Sequence, residues 1–195
     1  MQHTAPPPAM RRPNTTAPKP AFSVMAIYDG FFTSIRAMEA LEWLKFNLLP
    51  ALQVYSVSWS FDKLALQDTR TKSIRVAASA DLLLVSAADE SPLPDHMRQW
   101  FESIHLQDKP ARPIIVALQD EDFEFNSTQG PLSVNLKQVA DSWGTEFMCK
   151  EDFNRRLDCD FATQCIRRKS PASLNRSKPF GGEFQPAPRF WGING

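Results

Sequence analysis

The sequence predicts one doubly wound α/β domain, a five-stranded parallel sheet with helices on both faces, over residues 21–160 of a 195-residue chain. Three observations carry that class. Short apolar runs alternate with segments of helical period in the order β-α-β-α-β-α-β-α-β, and right-handed crossovers turn such alternation into a parallel sheet covered on both sides. One run, Leu82–Val85, is continuously apolar, as a central strand buried on both faces requires. It stops abruptly in Ser86-Ala-Ala-Asp89-Glu90-Ser-Pro-Leu-Pro94, a polar, acidic, proline-marked loop. In open α/β sheets such strand ends form the crevice where ligands bind.

Residues 1–20 hold six prolines, among them Pro6-Pro7-Pro8, and neither periodicity nor apolar mass, which predicts a disordered leader. With no apolar h-region it is not a secretory signal. Phe22 to Tyr28 is the first strand, closed by Asp29-Gly30. Phe31, Ile35, Met38, Leu41, Leu44 and Leu48 recur at steps of three and four, which predicts an amphipathic helix with these residues on its apolar face, ended by Pro50. Gln53 to Trp59, rich in β-branched and aromatic residues, is the second strand. From Phe61 to Ala80 a loop leads into a modest helix marked by Ile74, Ala77 and Ala78.

After the third strand, Met97, Trp100, Phe101 and Ile104 stand at i, i+3, i+4 and i+7, a helical face with Asp95 as its expected N-cap. Pro113 to Leu118 is the fourth strand, and Gln119 to Gly130 a long acidic loop. Leu132, Leu136, Val139, Ala140 and Trp143 mark the next helix, with Gly144 as its stop. Thr145 to Cys149 is the fifth strand. A last short helix, from about Glu151 to Ile166, crosses the boundary between the domain and a tail at 161–195 that is basic and rich in Pro, Gly and aromatic residues. No internal repeat is present.

The formal net charge of +0 conceals a segregation. Residues 21–166 carry 13 Lys and Arg against 21 Asp and Glu, whereas the two ends carry 9 against 1. Opposite charges on body and ends either attract each other, reach an anionic partner, or belong to solvated tails. Cys149, Cys159 and Cys165 are an odd set without a C-x-x-C pair, which fits free thiols in a cytoplasmic protein and neither a disulfide framework nor a zinc ribbon. No apolar run reaches the roughly 20 residues that span a membrane.

The chemistry on offer is acidic. Asp29 follows the first strand, Asp89 and Glu90 the third, and Asp120, Glu121 and Asp122 the fourth, so the fold would gather them at one sheet edge. Grouped carboxylates recruit Mg²⁺ or raise one another's pKa; solvated acidic loops are the plain alternative. Lys150, at the end of the fifth strand, either joins those carboxylates around an anionic ligand or keeps a strand edge soluble. No G-x-G-x-x-G, G-x-x-x-x-G-K-[ST] or G-x-S-x-G occurs, which excludes the standard dinucleotide, P-loop and hydrolase-elbow patterns. Asp29-Gly-Phe-Phe-Thr33-Ser34 offers hydroxyls to a flavin phosphate, but with one glycine it is a weak pattern and makes flavin an unfavoured cofactor. His96 and His105 read as surface helix residues, and Trp43, Trp59, Trp100 and Trp143 as packing. Arg189, Phe190 and Trp191 are different: aromatic side chains on a tail either dock back on their own domain or enter a partner's groove. Arg167-Arg168-Lys169 could meet phosphates, but no DNA-reading motif accompanies it.

Asp81-Leu-Leu-Leu-Val-Ser86, Pro113-Ile-Ile-Val-Ala-Leu118 and Phe147-Met-Cys-Lys150, in this order and spacing, resemble strands three, four and five of bacterial response-regulator receiver domains. The resemblance covers about residues 21–155 and implies a receiver or flavodoxin-like sheet of order 2-1-3-4-5. It places the family's paired acidic residues at Tyr28-Asp29, with one carboxylate only, and its phosphate-accepting aspartate at Ser86. The family's hydroxyl residue ending strand four is replaced here by Leu118 or Gln119, and its lysine is matched by Lys150, followed by Glu151 instead of proline. A neutral serine cannot form an acyl phosphate, and Asp89, three residues beyond, is too displaced to substitute. The resemblance therefore implies a degenerate pseudo-receiver: a non-catalytic protein-interaction module in bacterial signalling. The competing reading is a small-ligand-, flavin- or Mg²⁺-binding protein or enzyme using Asp29, Ser86, Asp89, Glu90, Asp120 and Lys150.

Overall fold

Five parallel strands form the sheet: β1 (Ala21–Tyr28), β2 (Gln53–Ser60), β3 (Leu82–Ser86), β4 (Ile114–Leu118) and β5 (Phe147–Met148), in the spatial order β2-β1-β3-β4-β5. That is the flavodoxin-like doubly wound order, as expected. The computed structural model describes residues 19–49, 51–88, 92–107, 112–119 and 130–169. Among them the helices are α1 (Phe31–Leu48), α2 (Phe61–Ala65), α3 (Gln67–Ser79), α4 (Asp95–His105), α5 (Pro131–Trp143), α6 (Lys150–Arg156) and α7 (Cys159–Lys169). Because the path steps from β1 outward to β2 and then back across to β3, right-handed connections put α1 on one face and α2 to α5 on the other.

Each face buries its own core. Met25 and Ile27 of β1 with Leu83 and Val85 of β3 meet Leu64, Ala77, Trp100, Phe101 and Leu136 on one side. Phe22, Val24 and Ala26 with Leu82 and Leu84 meet Leu41, Leu44, Leu48, Phe153 and Ile166 on the other. Strands β3 and β4 are buried at every position, the consequence of central placement in a two-faced parallel sheet. Trp100, fully buried, satisfies its indole N–H by donating to Ser73 Oγ at 2.8 Å.

The amino ends of β1 and β3 are joined by Asp81. Its Oδ2 accepts from Ser23 N–H at 2.7 Å and from the Ser23 hydroxyl at 2.6 Å, while its own N–H donates to the Ser23 carbonyl at 2.7 Å. Asp81 is buried, so these bonds replace the water a carboxylate would otherwise keep. Its only trace in the sequence is a lone Ser inside the first apolar run and an Asp at the threshold of the third.

Several expectations need correction. The segment before the modest helix is not a loop: Ser60 caps α2, accepting from Lys63 N–H at 3.4 Å. Asp95 is the first residue of α4 and not its N-cap, a position held by Pro94; its carboxylate lies 3.8 Å from Arg98. It still places negative charge in the first turn, where the helix dipole favours it. The fifth strand shrinks from five residues to two, and Lys150 begins α6. The packed body runs to Ile166, past the expected end at 160, because Ala162, Cys165 and Ile166 of α7 are core residues, and the helix itself reaches Lys169. Gly144 does stop α5, in the left-handed conformation (φ 63°) that glycine tolerates.

The apolar positions of α1 do not share one face, as their spacing leads one to expect. Leu41, Leu44 and Leu48 are buried, but Phe31, Ile35 and Met38 are exposed. Steps of three turn each residue about 60° short of a full circle, so a run stepping 4, 3, 3, 3, 4 drifts off one face onto another. What reads as one stripe is two.

Candidate functional site

The carboxyl edge is built around Asp29. Tyr28, Ser86 and Leu118 stand in register at the ends of β1, β3 and β4. Asp29 N–H donates to the Ser86 carbonyl at 3.2 Å. Its Oδ2 accepts from Ala88 N–H at 2.9 Å, and its Oδ1 accepts from the Thr33 hydroxyl at 2.6 Å. Thr33, at the third position of α1, accepts the Gly30 N–H at 2.9 Å. One carboxylate thus ties the start of α1 to the loop after β3. The Thr33 hydroxyl and the Gly30 N–H, donors that an incoming phosphate would use at a helix N-terminus, already have partners. The carboxylate itself repels an anion there. These residues do not fit a flavin phosphate in this loop.

Ser86 is entirely buried, and its Oγ has no hydrogen-bond partner among the described residues. By strand alternation it points to the α1 layer, as Leu82 and Leu84 do. Across β4, Arg36 Nη1 of α1 donates to the Leu118 carbonyl at 3.0 Å. Gln119, the residue after Leu118, holds a buried Nε2 that also lacks a partner among the described residues, as does the Nε2 of half-buried His96. An unpaired buried polar group costs about 1–3 kcal/mol. His96 is therefore less of a surface residue than expected, whereas His105 is exposed.

Of the residues singled out from sequence, Asp29 and Ser86 are brought together. Lys150 stands beyond β5, three strand spacings, or roughly 14 Å, along the sheet from β1. Asp89, Glu90 and Asp120, and the tail residues Arg189, Phe190 and Trp191, lie outside the described residues. No group of three or more His, Cys, Asp or Glu among the described residues is placed to hold a metal ion. The three cysteines form no disulfide. No described helix is long and apolar enough to cross a membrane. Two surface clefts lie elsewhere: one beside Lys19, Lys45, Leu49 and Val54, the other beside Lys137, Asp141, Phe147 and Asp152.

A second candidate surface is the outer side of α1, directly opposite its buried face. Phe31 is 74% exposed, Phe32 80% and Phe46 83%, with Ile35, Met38 and Leu49 also exposed. Phe31 and Phe32 meet edge to face, their centroids 5.6 Å apart. Glu39, Glu42 and Lys45 fall on the same side, between Met38 and Phe46, and Lys45 is bound to Glu42 at 2.6 Å. Single exposed hydrophobes are ordinary; Phe31, Phe32, Ile35 and Met38 form a group at the start of the helix, with Phe46 and Leu49 at its end.

No protein-family model matches the chain, and no curated protein matches it. Solved structures do. An NADH:FMN oxidoreductase in its apo form superposes with a TM-score of 0.44 at 16% identity, over 82% of this chain and 97% of that one. A flavodoxin from Pseudomonas aeruginosa gives 0.41 at 14% identity, over 80% and 100%. An oxidoreductase from Corynebacterium diphtheriae gives 0.46 at 14%, over 80% and 95%. These are likenesses of chain path; the strand order is what defines the fold class.

Proposed function

We propose that this chain is a non-catalytic protein-interaction module on a flavodoxin-like, receiver-like scaffold, with α1 presenting the contact surface. The observation that carries this reading is the apolar outer face of α1, where Phe31, Phe32 and Phe46 stand in solvent opposite a well-packed inner face. The carboxyl edge agrees with it: Asp29 is spent on Thr33 and Ala88, and β3 ends in a buried serine, at the position that the receiver resemblance assigns to the acceptor aspartate.

The test places a photoreactive benzophenone residue at position 46 of the full chain in cells of the source organism. A discrete adduct that disappears on adding Phe32→Glu supports the reading. Absence of any adduct that depends on Phe32 contradicts it.

A second reading has its own support. The unpartnered Ser86 Oγ and Gln119 Nε2 lie at the ends of β3 and β4, where this fold class holds ligands. Because similar structures include flavodoxins and an NADH:FMN oxidoreductase, FMN is the first probe. Tight one-to-one binding of FMN, lost in Ser86→Val, would establish a ligand site and displace the interaction reading.

A further inference from the structure

We infer that the outer face of α1 is covered, in the resting chain, by the chain's own C-terminal segment, with Phe180, Phe184, Phe190 and Trp191 as the side chains that seat on it. This rests on the reading of that face as a docking surface and names its occupant.

Four observations favour this occupant. The described residues end at Lys169 on α7, which packs beside α1: Ala162, Cys165 and Ile166 share a core with Leu41, Leu44 and Leu48, and the Cys159 thiol donates to the Asn47 carbonyl at 3.6 Å. From Lys169 to Phe180 an extended chain reaches roughly 36–40 Å, more than the ~27 Å length of α1, so the whole stripe is within range. The segment matches the stripe in chemistry, with four aromatic residues between 180 and 191 and Arg176, Lys178 and Arg189 against Glu183. Their charge complements the exposed Glu39 and Glu42, which lie on the same side of α1 between Met38 and Phe46.

Other occupants fit less well. The leader also begins beside α1, where Lys19 Nζ donates to the Leu49 carbonyl at 2.9 Å, but residues 1–18 contain no aromatic and no branched aliphatic residue. A second copy joined through α1 about a two-fold axis would bring Glu39 and Glu42 towards their own copies, with Lys45 already held by Glu42. A tethered segment, by contrast, acts at an effective concentration in the millimolar range, so even weak aromatic contacts keep it seated. A partner then reaches α1 only by displacing the tail, which makes the tail a competitor built into the chain.

The experiment uses the full chain, purified and dilute, with a photoreactive benzophenone residue replacing Trp191. Irradiation should give an intramolecular crosslink from position 191 to the peptide 31–49, read by mass spectrometry. Phe32→Glu with Ile35→Glu, both at exposed positions that leave the inner face intact, should cut its yield about tenfold or more by removing apolar contact. Crosslinks confined to other elements overturn the proposal, as do crosslinks between chains, which would mean a second copy holds the face. A crosslink to α1 indifferent to the two glutamates overturns it as well. If this experiment fails while the adduct from position 46 in cells still depends on Phe32, only the tail proposal falls; if both fail, the docking face falls too.

Discussion

The two sides of α1 are nearly equal in apolar content and opposite in fate. Leu41, Leu44 and Leu48 face the sheet and are closed off by α6, α7 and the strands. Phe31, Phe32, Ile35 and Phe46 face away and touch little. Burial on the inside is explained by the fold alone, because any helix in a β1-α1-β2 unit must cover its sheet. Nothing in the fold calls for phenylalanines outside. The inner face therefore speaks of stability and the outer one, on the proposed function, of association, so the two should respond differently to mutation.

Leu44→Ala tests the inner face hardest. It should cost about 2–5 kcal/mol by leaving a cavity in a dense core, read as a lower urea midpoint. Next comes the attachment of the helix start: Asp29→Ala removes the links to Thr33 and Ala88 and should cost about 1 kcal/mol, since water can reach the groups left behind. Ser86→Ala, beneath the same layer, should be neutral or stabilising by up to about 1 kcal/mol, because it deletes a hydroxyl without a described partner. A loss of more than that would mean the hydroxyl has a partner, and would weaken the case for an idle edge. Phe46→Ala should have the smallest effect, no more than about 1 kcal/mol on urea stability. A core-sized loss there would erase the contrast between the faces.

Much of the architecture was legible. The first, third and fourth strands announced themselves as apolar runs, the first closed by Asp29-Gly30 and the third by a proline-marked loop, and the strand order followed from the fold class. The two faces of α1 were not legible, because a list of apolar positions at steps of three and four hides the rotation that accumulates across 18 residues. The Asp81–Ser23 staple was missed since a hydrogen bond across 58 residues leaves no local pattern. Asp29 was found, but as a ligand-binding carboxylate; only geometry shows it spent on Thr33 and Ala88. The acidic residues on which the ligand reading leaned most, Asp89, Glu90 and Asp120, lie outside the described structure.

Hydroxyl-radical footprinting of the full chain, with oxidation of Phe31, Phe32, Met38 and Phe46 quantified by mass spectrometry, tests the central claim most directly. A covered docking face predicts that these side chains are labelled several-fold more slowly than their exposure on α1 alone implies, and that Phe190→Ala with Trp191→Ala restores the faster rate. Labelling at the full rate of bare aromatic side chains, identical in both proteins, would contradict it.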